Sequence, residues 1–200
     1  MTIGIIGGTF DPIHIGHLIA AEHAWTKLGL DRVLFMPAGQ PWFKANNGIT
    51  TATHRLAMLQ LAISSNPHFE LCTVEVERPG PSYTIDTMVE FRDKWGIQYP
   101  YFILGMDSIA GLPLWKEPDK LLQMCRLVVV PRSGLDTCEA LKTLGEAVHG
   151  SMDNVRHLDM PVMDVSSSEI RRRIACGESI KYLVPDAVEQ YIVEHRLYLP

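Results

Sequence analysis

The sequence predicts an α/β protein with a doubly wound parallel sheet and a small C-terminal helical element. Three observations carry this. Short apolar runs alternate along the chain with stretches at helical spacing. The runs at 101–104 and 127–130 are apolar without polar alternation, as in strands covered on both faces. The first run closes on Gly7-Gly8, the punctuation of a strand that turns into a helix.

Taken in order, residues 2–6 form the first strand, and Ile15, Leu18, Ile19, Trp25 and Leu28 mark a helix that begins near Ile13 and stops at Gly29. A strand follows at 32–36, a helix at 53–64, a strand at 70–76, and a helix at 84–95 ended by Gly96. Between the two uniformly apolar strands lies a helical stretch with Pro118 near a helix start. Residues 135–148 read as a helix and 155–158 as a weaker strand. One helix then begins at Ser166 to Ser168 and ends at Gly177, and another has Pro185 near its start and reaches about His195. Residues 39–51, with Pro41, Asn46, Asn47 and Gly48, form the one extended loop. In such a fold ligands sit beyond the carboxyl ends of the strands.

The 200 residues are expected to form a single domain, and 46% hydrophobic against 20% charged residues is a composition able to bury a core. Eighteen Lys and Arg against 23 Asp and Glu give a formal charge of -5, the wrong sign for coating a nucleic-acid backbone, so phosphate binding must be local. Cys72, Cys125, Cys138 and Cys176 contain no C-x-x-C pair, which argues against a zinc ribbon or dithiol centre and for reduced, mostly buried thiols. No apolar run approaches a membrane span and no signal-like N-terminal segment is visible, so the expected setting is the cytoplasm.

The segment from Gly7 to His17 carries the strongest chemical signal. Gly7, Gly8, Thr9 and Phe10 follow a strand, and His14 and His17 open a helix on one side of it. Glycines let backbone amides approach an anion, and a helix start offers unpaired N–H groups to it. Taken alone, H-x-x-H also suits two ordinary histidines or, with His23, a metal pair. Neither G-x-G-x-x-G nor G-x-x-x-x-G-K-[ST] occurs, so dehydrogenase and kinase readings lose their main support. Near the other end, Ser166-Ser167-Ser168-Glu169-Ile170-Arg171 has the spacing of a capping box, with Ser166 as N-cap and Glu169 three residues on. Arg171 to Arg173 add cationic donors to that helix. A capped surface helix and an anion site both fit.

The first segment resembles the G-x-F-D-P and [HT]-x-G-H signature of the nucleotidylyltransferase superfamily, and Val165 to Arg171 resembles that superfamily's I-S-S-[ST]-x-I-R, with Val165 in first place. The string His14-Ile15-Gly16-His17 is also similar to the HIGH motif of class I aminoacyl-tRNA synthetases, but the chain is short for one and lacks a KMSKS-like segment. The superfamily resemblance implies a Rossmann-like fold in which both motifs close on one ATP. By that resemblance Gly8, Thr9, Phe10, His14 and His17 meet the nucleotide and its phosphates, while Ser167, Ser168 and Arg171 hold the β,γ portion.

Segments in between are similar, over essentially the whole chain, to the branch of the superfamily that adenylylates nicotinate mononucleotide. Pro81-Ser82-Tyr83-Thr84 with Thr87 resembles that branch's P-S-Y-T-x-x-T, which implies contact with the pyridine carboxylate by Tyr83 and Thr84; a plain helix cap would use the same residues. Gly105-Met106-Asp107 resembles its G-x-D near the nucleotide, where Asp107 could equally cap a helix. Trp115 corresponds to a ring that stacks on the pyridine, or else packs in the core. Arg132 resembles an arginine holding the mononucleotide, or is a solvated loop charge. Lys44 lies in Pro41-Trp42-Phe43-Lys44, similar to P-x-H-K with Phe43 in place of the commoner histidine. Arg55 is placed to support that loop.

The implied reaction is in-line attack of the mononucleotide phosphate on the α-phosphorus of ATP, with pyrophosphate leaving, Mg²⁺ carried on the ATP, and no dedicated protein metal site. His14, His17, Lys44 and Arg171 are the expected catalytic residues. The expected partners are ATP and nicotinate mononucleotide, with no nucleic acid or membrane, and a homo-oligomer is compatible with the sequence. The alternatives are an adenylyltransferase acting on pantetheine phosphate and a nucleotide sensor without turnover.

Overall fold

A computed structural model describes residues 1–41, 48–134, 137–149 and 152–200. Strands β1 (Ile3–Gly8), β2 (Arg32–Pro37), β3 (Phe69–Leu71), β4 (Tyr101–Gly105), β5 (Arg126–Val130) and β6 (Val155–His157) form one six-stranded sheet in the order β3-β2-β1-β4-β5-β6. Every pairing is parallel. The helices are α1 (Ile15–Leu28), α2 (Ala52–Ile63), α3 (Val74–Glu77), α4 (Thr84–Trp95), α5 (Met106–Ile109), α6 (Pro118–Met124), α7 (Thr137–Ala147), α8 (Ser167–Ala175) and α9 (Asp186–Glu194). This is the doubly wound, Rossmann-like order, with α8 and α9 as the C-terminal helical element.

Side-chain alternation along each strand divides the core. Ile6, Phe35, Ile103 and Val128 join α1, α2, α8 and α9 on one face. Ile5, Met36, Phe102, Leu104 and Val129 join α4, α5, α6 and α7 on the other. Because both faces are covered, the strands read as continuous apolar runs rather than as alternating ones. The chain leaves β1 toward β2 and β3, then returns to place β4 on the other side of β1. Their carboxyl ends therefore flank the crevice at the reversal of strand order.

Most predicted elements form within one or two residues of their expected bounds. The strand expected over 70–76 is an exception: β3 ends at Leu71 and α3 takes up Val74–Glu77. Glu75 is buried and accepts the Thr87 hydroxyl at 2.8 Å, while Val74 and Val76 are half-exposed. The first helix begins at Ile15 rather than near Ile13, because His14 is an extended N-cap. The short α5 and a 3₁₀ turn at Leu112–Leu114 add helical structure that the sequence reading did not place. Cys72 and Cys125 are buried, burial pushing the Cys125 thiol up to about 12, and Cys176 is exposed. Among the described residues no helix is long and apolar enough to cross a membrane.

Candidate active site

A cleft of about 430 Å³ opens at the carboxyl ends of β1 and β4. Its walls are the first-strand loop, with Gly8, Thr9, Phe10, His14 and His17; the end of β4, with Gly105 and Asp107; Arg132 after β5; and Ser167, Ser168 and Arg171 of α8. Every residue expected to meet ATP thus lines one cavity, with Arg132 among them.

The loop is tightly specified. Phe10 is buried in left-handed backbone (φ 50°), an unusual conformation for a residue with a bulky side chain, and its ring meets His17 edge-on with centroids 4.9 Å apart. The backbone N–H of His14 donates to Nδ1 of His17 at 3.3 Å, which leaves the His17 ring proton on Nε2. The two imidazoles stack with centroids 3.7 Å apart. His14 is 5% exposed, and its Nδ1 is buried without a protein partner. Burial, and secondarily the charge of Arg132, lowers its pKa to about 4, so the ring is neutral at physiological pH. Gly16 leaves room for it: a Cβ there would stand 3.1 Å from the His14 ring.

The helix α8 closes the other wall. Ser166 caps it, accepting from the Glu169 N–H at 3.2 Å. The reciprocal half of the expected capping box is missing, since the Glu169 carboxylate instead takes Arg172 and Arg173. Those ion pairs hold Glu169 at a pKa of about 2 and commit both arginines to the surface. That leaves Arg171 for the cleft, where its Nη1 donates to the Asp11 carbonyl at 2.7 Å and its Nη2 lies 3.5 Å from Ser168 Oγ. The Ser167 hydroxyl donates to the Pro12 carbonyl at 2.9 Å. These bonds lock α8 to the first-strand loop across more than 150 residues of sequence.

The residues expected to meet the acceptor divide differently. Arg132 faces Asp107 across the cleft at 3.8 Å. Tyr83, Thr84 and Trp115 do not line the cleft. They are half-buried beside the second face of the sheet, where the Trp115 ring meets Phe102 at 6.4 Å and Lys116 lies over Tyr83. Thr87 is fully buried and its hydroxyl is used by Glu75 and Arg78, and Ser82 Oγ accepts the amides of Gly39 and Gln40. These two members of the P-S-Y-T-x-x-T stretch are therefore scaffold. Lys44 and Phe43 lie outside the described residues.

Arg55 performs the support expected of it. It is 2% exposed and donates to the carbonyls of Thr50, Thr9 and Gly39 at 3.0, 2.8 and 3.3 Å, tying both flanks of the long loop to the first-strand loop. Asp11 and Tyr198, to which the sequence reading gave no role, form a hydrogen-bonded pair under the same loop. Asp11 could have been singled out from its place in the first motif, whereas Tyr198 belongs to no motif.

Residues 5–173 match the family model described as cytidylyltransferase-like. A protein of Thermomicrobium roseum described as a probable nicotinate-nucleotide adenylyltransferase is 46% identical over 196 residues, covering 98% of this chain and 91% of its own. One of Dehalococcoides mccartyi with the same description is 43% identical, covering 98% and 96%. The solved structure of Plasmodium falciparum nicotinic acid mononucleotide adenylyltransferase complexed with NaAD superposes with a TM-score of 0.80 at 20% identity, covering 98% of this chain and 97% of that one. At that identity the likeness is one of fold.

Proposed function

Because the chain belongs to the cytidylyltransferase-like family, we propose that it transfers the adenylyl group of ATP to nicotinate mononucleotide, giving nicotinate adenine dinucleotide and pyrophosphate as a step of NAD biosynthesis. The observation that carries this reading is the convergence of His14, His17, Ser167, Ser168 and Arg171 on one cleft at the switch point of the sheet. Curated relatives at 46% and 43% identity supply the choice of acceptor. Residues 1–200 act as one catalytic domain.

In this reading the triphosphate lies between the first-strand loop and α8. A phosphate oxygen of the mononucleotide attacks the α-phosphorus of ATP, the bond from that phosphorus to the β-phosphate bridging oxygen breaks, and pyrophosphate carries away the electron pair. The nucleophile is already an anion, so positioning and charge stabilisation do the catalysis. Neutral His14, and His17 through Nε2, donate N–H bonds to phosphate oxygens, and Arg171 brings fixed positive charge to the leaving group. Lys44 adds a second cation on the acceptor side, and Arg132 holds the mononucleotide phosphate. Ile103, Val130, Met160 and Met163 give the cleft an apolar wall suited to adenine. Tyr83 and Thr84 meet the pyridine carboxylate, and Trp115 the ring.

The acidic side chains on the cleft are Asp11, both of whose oxygens accept hydrogen bonds, and Asp107, which faces Arg132. Such a donor set suits a Mg²⁺ ion that arrives with its own phosphate and water ligands. Bound in that way, the ion supplies further neutralisation of charge on the triphosphate. An ATP-consuming enzyme with free thiols at Cys72, Cys125 and Cys176 fits a reducing, cytoplasmic setting.

Pyrophosphate release tests the proposal, measured with ATP, Mg²⁺ and, in parallel, nicotinate mononucleotide, nicotinamide mononucleotide and phosphopantetheine. Strong preference for the nicotinate nucleotide is expected. Activity with phosphopantetheine alone would overturn the acceptor, and silence with all three would leave a nucleotide sensor.

A further inference from the structure

We infer that Tyr198, in the segment after α9, is a positioning residue for adenylyl transfer that acts through Asp11. The inference rests on the proposed reaction. Asp11 is 4% exposed, and every oxygen it carries is used. Its Oδ1 accepts the Tyr198 hydroxyl at 2.7 Å, and its Oδ2 accepts the Thr50 N–H at 3.2 Å. Its backbone carbonyl accepts Arg171 Nη1 at 2.7 Å. One buried residue thus ties together the first-strand loop, the end of the long loop before α2, the guanidinium on α8 and the segment after α9.

Tyr198, which does not itself line the cleft, supplies one bond of this set from the segment after α9. A buried carboxylate that loses a donor must turn toward another or draw in water. Around it lie the Thr50 amide, which it already accepts, and the charge of the Arg55 guanidinium, which serves three carbonyls. Both hold the loops that shape the cleft, so a turn of the Asp11 carboxylate moves them. The consequence should fall on the transition state more than on substrate binding. Small displacements of charge-stabilising donors lose catalysis while the ground-state contacts persist.

The test is Tyr198→Phe, which deletes the hydroxyl and keeps the ring. Expected are a kcat reduced about tenfold, a KM for each substrate within about twofold, and a melting temperature within a few degrees of wild type. In an Asp11→Asn background the same substitution should have little further effect on kcat, because residues acting as one unit are non-additive. Amide hydrogen exchange gives a readout independent of turnover: the Thr50 amide should exchange about tenfold faster in Tyr198→Phe, with the buried amides of Met58 and Leu59 unchanged. Wild-type kcat in Tyr198→Phe, or independent multiplication of the two effects, would overturn the inference. So would unchanged exchange at Thr50, whatever the activity. A wild-type protein that releases no pyrophosphate with any acceptor would instead sink the proposed function, with Thr50 exchange still deciding whether Tyr198 sets the loop.

Discussion

Burial of His14 has two separable consequences at the scale of the residue. The first bears on the proposed reaction. A neutral ring with a buried, unpartnered Nδ1 is a polar group held ready for a ligand, and His17 has its ring proton directed to Nε2 by the His14 amide. Replacing either histidine with Ala should lower turnover roughly a hundredfold or more, about 3 kcal/mol of transition-state stabilisation. Near-normal kcat in both purified variants would remove the pair from the mechanism. The second consequence is a pH dependence of stability. The folded pKa of about 4 lies below the ordinary 6.5, so as pH falls through this window the unfolded chain takes up a proton that the folded chain refuses. Stability contributed above pH 6.5 is lost progressively down to pH 4, by about 3 kcal/mol in all. Urea midpoints measured at pH 7 and pH 4.5 should show this loss in the wild type and a smaller one in His14→Gln. An equal loss in both would mean that His14 is not the group titrating. The sequence displayed these histidines because their spacing and the glycines before them are local features. It did not display Phe10 in left-handed backbone or the neutrality of His14, which depend on packing from distant parts of the chain.

At the scale of the element, the legible parts were those whose pattern is set by burial on one consistent side. The strand β5 and the helices α4 and α8 follow that rule, and their apolar positions and caps are visible in the sequence. The segment that became α3 does not, since Glu75 is turned inward to a hydroxyl and the valines beside it are half-exposed. The same segment explains Gly39, which the sequence shows only as the start of a loop. A Cβ at Gly39 would overlap the Glu75 carbonyl oxygen and lie 2.9 Å from its carbonyl carbon and 3.1 Å from Val76 Cα. All three are backbone atoms, so no side-chain rotation relieves the clash. Gly39→Ala should therefore destabilise the fold by about 2 kcal/mol or more. Because Gly39 also accepts from Arg55 and donates to Ser82, it should also weaken substrate binding by shifting the long loop. Chemical denaturation checks the first effect. A Gly39→Ala protein with an unchanged midpoint would show that α3 can move aside at little cost.

The whole molecule raises the question of how one substrate pair can span two groups of residues. The residues proposed to meet phosphate share a cleft at the switch point, while Tyr83, Thr84 and Trp115 sit beyond it, on the face carrying α4 to α7. The bridge between them is β1 itself: Gly7 lies so close to Phe102 that a Cβ would come 2.9 Å from the ring, and Phe102 in turn meets Trp115. ATP in the cleft and a mononucleotide reaching past Gly7 toward Trp115 would then meet end to end, with the reacting phosphate between them. The division predicts a division in kinetics. Trp115→Ala should raise the KM for nicotinate mononucleotide about tenfold, the scale of one lost aromatic stack, and leave the KM for ATP within about twofold. Trp115→Phe should recover most of that loss, because a smaller flat ring still stacks. If Trp115 were only a core side chain packed on Phe102, its removal would disturb β4 as a whole, and both KM values would rise together. Steady-state kinetics with each substrate varied in turn distinguishes the two, and equal effects would confine the acceptor to the cleft with Arg132.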